Sequence, residues 1–201
     1  NYTILTQKLE GLISGVINST GAAIGNLIAE GNKERILKVF RELLAIRIFV
    51  ASIAASCIYT FASPFIGVWL GEEYILNGYT VALIAILSGL GIARGVLDQF
   101  CYGCGLFADV WAPYAESLIM VIFAVAGGYY YGLPGVLCGP LVSIITIIYI
   151  WKPYYLFSRG FKLPVLKYWK LFAINIAATA FSLVATDFIF GKFIQSHIPT
   201  N

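Results

Sequence analysis

The chain has 201 residues, 60% hydrophobic and 11% charged, with a mean hydropathy of +0.85. Soluble domains run about 45–50% apolar and about 25% charged, which argues against a soluble enzyme, a nucleic-acid binder and a disordered segment. The net charge of +3 is too small and too scattered for a phosphate-backbone footprint. What remains is an all-α, polytopic membrane protein with no nucleic-acid partner. The chain begins at Asn1, and no basic segment leads into a cleavable apolar stretch. It is therefore expected to be a piece of a longer polypeptide.

A spanning helix needs about 20 apolar residues. Six stretches qualify: roughly Ile4–Ala29, Leu43–Leu70, Val81–Cys101, Ala115–Tyr131, Val136–Trp151 and Leu171–Phe190. None alternates with period two, so a barrel is not expected. Gly132-Leu133-Pro134-Gly135 should break one long apolar run into two antiparallel helices. Ahead of the second span, the 31–47 stretch places Ile36, Phe40, Leu43 and Leu44 on one face. That pattern predicts an interfacial helix.

Ten of the 13 basic residues fall in two loops. Lys33, Arg35, Lys38, Arg41 and Arg47 lie between spans one and two; Lys152, Arg159, Lys162, Lys167 and Lys170 lie between spans five and six. Glu72 and Glu73, between spans two and three, have no basic neighbour. Basic loops stay cytoplasmic, so the first residue is expected outside. Tyr154, Tyr155, Tyr168 and Trp169, mixed with lysines, predict an aromatic belt at the cytoplasmic surface.

An ionisable group inside the hydrocarbon costs about 2.5–3.5 kcal/mol at a helix centre, so it should face protein or water. Arg94 and Asp98 lie four residues apart on one face of span three. Arg94 is expected near mid-bilayer, with Gly91, Gly95 and Tyr102 on the same face. The pair lines a polar cavity or ties helices together. Lys8 and Glu10 sit near the outer end of span one and point in different directions. On the Lys8 face follow Gly11, Gly15, Asn18, Ala22 and Asn26, small or polar residues that allow close helix approach or leave room for a cavity. Glu116 opens span four, where it would complement the helix dipole. Asp187 is expected at the interface, His197 in the tail, and Asn175 and Thr179 in interhelical hydrogen bonds.

Cys101 and Cys104 form a CxxC without a second pair or a surrounding βαβ pattern, so they read as small apolar filler. No HExxH, P-loop or GxSxG is present, and the glycines of 89–95 follow no strand. These glycines are expected to serve helix contact. No catalytic residue, metal or cofactor is predicted.

Several motifs carry a resemblance. Tyr2-Thr-Ile-Leu-Thr-Gln-Lys8-Leu leads through a small-residue helix to Glu30-Gly31-Asn32-Lys33. Pro64-Phe-Ile-Gly-Val-Trp69-Leu-Gly-Glu-Glu-Tyr74 closes the next span. Arg94-Gly-Val-Leu-Asp98, Gly105 to Pro113 and Gly132-Leu-Pro-Gly-Val136 follow. Over about 1–165 the chain resembles the C-terminal half of polysaccharide flippases in the multidrug/oligosaccharidyl-lipid/polysaccharide exporter superfamily. The resemblance implies two six-helix lobes around a central cavity. Residues 1–165 would be part of the second lobe, completed by an N-terminal lobe of the same chain, and 166–201 an accessory helix and tail.

The implied substrate is a lipid-linked oligosaccharide, flipped within the lipids of the bacterial inner membrane. Lys8 falls where lipid-II flippases carry a cavity arginine. Lys8 and Arg94 would meet the diphosphate, Asp98 would hold Arg94, and Asn18 would line the cavity. The alternatives are a cation-coupled multidrug exporter, which would want unpaired carboxylates, a membrane-embedded glycan polymerase or transferase, which would want catalytic loops, and a structural scaffold.

Overall fold

The computed structural model describes residues 2–177, apart from the side chains of Ile17 and Asn18. The described residues are 88% helical, with no strand. Four helices are long and apolar enough to cross a membrane, or five if one bent pair forms a single span. The expected sixth, Leu171–Phe190, falls mostly outside the described residues, as do Thr179, Asp187 and His197.

The bent pair is α1 (Tyr2–Asn18) and α2 (Gly21–Ala29), which meet at 42°. Next comes α3 (Lys33–Leu70), a single helix of 38 residues, or about 57 Å. The Asn32 side chain caps it by accepting from the Arg35 N–H at 3.1 Å. The expected helix ahead of span two is there and leads into that span without a break, as one helix from Lys33 to Leu70. Its apolar face also meets protein: Ile36, Phe40 and Leu44 are buried in the main core.

A single 3₁₀ turn (Glu72–Tyr74) leads to α4 (Gly78–Gly103), capped by Asn77, which accepts from the Thr80 N–H at 2.8 Å. Then come α5 (Trp111–Tyr131) and α6 (Leu133–Phe161). Helix α6 is α-helical over Leu133–Ser143 and π-helical over Ile144–Trp151 and Leu156–Phe161, with one α turn, Lys152–Tyr155, between. The chain is helical again over 166–177.

The expected break between the two helices is there, but it is confined to Gly132, and Leu133, Pro134 and Gly135 already form the first turn of α6. Gly132 takes φ +65°, a conformation an L side chain rarely adopts. The α5–α6 hairpin then closes on glycines. A Cβ on Gly139 would lie 2.4 Å from the Met120 carbonyl oxygen. Little else covers α5: only Ala112 is buried, and Val125 is 68% exposed. A large bare apolar face of this kind fits lipid or a partner.

Helix α4 occupies the centre, packing on α1, α2, α3 and α6. Near its Gly103 end, Phe100 of α4 joins an aromatic core with Phe40, Phe157, Phe161 and Tyr168. Tyr168, expected in a surface belt, is fully buried here, because its ring stacks on Phe172 and reaches Phe157.

Candidate functional site

Each of four other helices sends an ionisable side chain to α4. From one turn to the next, Arg94 Nε donates to Asp98 Oδ2 at 3.3 Å. Arg94 Nη1 reaches Glu116 Oε1 of α5 at 3.4 Å. On the other side, Lys152 Nζ of α6 donates to Asp98 Oδ1. The four charges form a chain, Lys152–Asp98–Arg94–Glu116, with side chains 15–33% exposed. Two cations face two anions, so the chain is neutral.

Glycines on α4 admit the other two charges. Arg47 of α3 is 1% exposed, and a Cβ on Gly95 would sit 2.0 Å from its Nη1. The same Nη1 donates to the Ile92 carbonyl at 3.3 Å, and the Asp98 charge acts on the guanidinium. Glu10 of α1 comes within 3.2 Å of where a Gly91 Cβ would be, and it is hydrogen-bonded by Ser88. Gly89, by contrast, serves plain helix contact, its missing Cβ facing Ala51 and Ala55. The expected helix-contact role thus holds at Gly89, whereas Gly91 and Gly95 make room for charged side chains.

The Arg94–Asp98 pairing expected from spacing is formed, but it is the middle of a longer chain. Arg94 lies 16 residues from the Gly78 end of α4 and nine from the Gly103 end. That is about 24 Å against about 14 Å, so the network sits toward the basic end rather than at mid-length. Glu116 does not open its helix, because α5 begins five residues earlier at Trp111 and leaves it beyond the first turn. Lys8 is exposed on α1 and makes no ion pair among the described residues, while Glu10 turns inward. The two do point apart, as their spacing predicts. The Asn18 side chain lies outside the described residues. Around the stripe on α1, a Cβ at Gly11 or Gly15 would meet nothing within 4 Å. That face is open to the described residues.

Sequence reasoning placed Arg47 and Lys152 in basic loops, and the structure places both inside the bundle. The available signal was position: each adjoins a long apolar run. Without them, each loop keeps four basic residues, so one end of the bundle remains basic.

Beside the network, at that basic end, lies a groove of about 1050 Å³. Trp111 and Trp151 meet edge to face at 4.8 Å, and Tyr155 stacks on Trp151. Asp109, Ser158 and Arg159 supply its polar rim. Trp151 directly precedes Lys152, and the α turn that carries Lys152 is flanked by the two π-helical segments. Single π-helical turns inside α-helices are frequent at functional sites. Cys101 is buried and Cys104 half-buried, both as free thiols. Among the described residues no cluster could hold a metal ion. No family model, curated protein or solved structure matches the chain.

Proposed function

We propose that this protein is a transporter, not an enzyme, and that it moves a lipid-linked oligosaccharide across the bacterial inner membrane as part of a two-lobed chain. The observation that carries the reading is the ion-pair chain along α4 inside a largely apolar bundle. Charges this deep are costly unless they are paired, and they mark substrate or ion pathways.

Without substrate, Asp98 and Glu116 hold Arg94 and Lys152 neutralised. A diphosphate competes for those cations, and a guanidinium can grip it with two parallel bonds. Next to it, the aromatic groove suits a sugar head: ring faces pack on apolar sugar faces, while Asp109, Ser158 and Arg159 bond hydroxyls. The open stripe of α1, with Lys8, would face the cavity that the first lobe closes. Access then alternates by rocking of one lobe against the other.

The test is transport of a lipid-linked oligosaccharide by the intact protein in proteoliposomes. Arg94→Ala should abolish it when the rate is normalised to folded protein in the vesicles, and Arg94→Lys should keep part. Full transport by Arg94→Ala overturns the proposal.

One observation favours a cation-coupled exporter as a second reading. Glu10 is a half-buried carboxylate that accepts from Ser88 and has no cationic partner among the described residues. In that case Glu10→Gln would abolish efflux of cationic drugs, and Arg94→Lys would not matter.

A further inference from the structure

A second groove, of about 310 Å³, opens between α3, α6 and the 166–177 stretch. Its polar groups include three cations, Arg41, Lys167 and Lys170. None makes an ion pair among the described residues, and no carboxylate lines the groove. The remaining walls are apolar, among them Leu37, Phe157 and Ile174.

The arrangement is amphipathic along the helix axes. On the 166–177 stretch, Lys167, Lys170, Leu171 and Ile174 follow at helical spacing, so that the cations come first and the apolar residues after. On α3, Arg41 continues into Ile48, Ser52 and Ala55 on one face. Those last three line a further apolar pocket of about 290 Å³, together with Phe172 and Ile176.

Depth agrees with this. Arg41 lies 29 residues from Leu70 at the far end of α3. That distance is about 44 Å, and a bilayer with its headgroups is about 40–45 Å thick. With Leu70 at one surface, Arg41 stands at headgroup level of the opposite leaflet.

From this geometry we infer that the groove binds an anionic phospholipid of the leaflet at the basic end. Arg41, Lys167 and Lys170 hold the phosphate, and the acyl chains lie along the apolar stripe of α3. Basic pockets between helices are the usual seats for such headgroups. This site shares no residue with the α4 network, and the inference does not depend on which substrate the protein moves.

Native mass spectrometry of the intact protein, loaded with phosphatidylglycerol or phosphatidylcholine in micelles, tests it. The wild type should retain phosphatidylglycerol in preference. The triple variant Arg41→Gln, Lys167→Gln, Lys170→Gln should lose that preference by roughly tenfold or more. A control triple at the same end, Lys33→Gln, Lys38→Gln, Lys162→Gln, should stay within about twofold, since long-range surface charge is screened. Equal loss in the control, no loss in the first triple, or equal competition by free glycerol phosphate overturns the proposal. Photo-crosslinking from a benzophenone side chain at position 174 of the otherwise native protein covers the case of a triple that does not fold. It should capture the phospholipid; capture of a peptide segment overturns the proposal.

Discussion

Asp98 is the member of the α4 network whose loss should be felt most. It accepts from two cations, Arg94 at 3.3 Å and Lys152, whereas Glu116 accepts from one, at 3.4 Å. Exposed ion pairs contribute about 0.2–1 kcal/mol, and breaking a fully buried one costs about 3–5 kcal/mol. These side chains are 15–33% exposed, so the broken pairs fall between those limits. A value of about 1–2 kcal/mol per pair follows. Asp98→Asn, which keeps shape and removes charge, should therefore destabilise by about 2–4 kcal/mol, and Glu116→Gln by about 1–2 kcal/mol. Adding Lys152→Met to Asp98→Asn removes one of the two stranded cations. The double variant should then be more stable than the two single losses sum to, by about 1 kcal/mol or more. Purified intact protein, unfolded by dodecyl sulfate in mixed micelles and followed by helix circular dichroism, reads all four species. Equal cost for Asp98→Asn and Glu116→Gln, or strictly additive effects of Asp98→Asn and Lys152→Met, would refute the chain-like network.

Exchanging the central pair, Arg94→Asp with Asp98→Arg, should not restore stability in the same assay, because a carboxylate then faces Glu116 and a guanidinium faces Lys152; wild-type stability would mean an isolated pair. Gly139→Ala should lower stability by about 1–3 kcal/mol, since the added carbon meets backbone 2.4 Å away, while Gly11→Ala, which meets nothing within 4 Å, should be close to neutral. Single cysteines at positions 35 and 162 should be labelled from one side of the membrane and at position 72 from the other; labelling of position 35 by an impermeant reagent outside intact cells contradicts the charge-derived topology. Burial pushes the Cys104 thiol up, so it carries less thiolate at neutral pH than an ordinary thiol. Maleimide should react with it slowly at pH 7 and faster as pH rises through and above the normal thiol range; a fast reaction at pH 7 would contradict this.

What could be read from the sequence was local. Long apolar runs fixed the helices, because only helices and closed barrels satisfy their backbone hydrogen bonds in hydrocarbon, and these runs lack the period-two alternation of barrel strands. The Gly132 turn, the basic and acidic ends and the Arg94–Asp98 pairing follow from composition or from spacing within one element. The expected start of span two at Leu43 falls inside α3, because hydropathy marks where the apolar run starts, whereas a helix ends only at a stop signal, and Asn32 is the first one upstream.

Partner choice belonged to the tertiary structure. Lys152 lies 54 residues from Asp98 in the chain, and Glu116 lies 22 from Arg94. Nothing local to either tells it apart from a charge at a helix end. Arg47 turns inward because Gly95, on another helix, lacks a side chain at that level. Tyr168 left the surface for the same kind of reason: the rings of Phe157 and Phe172 leave it a place to stack. A charge or a ring at the edge of an apolar run points to water or to protein according to the space its neighbours leave. That space is set by residues far away in sequence, and it exists only once the helices have packed.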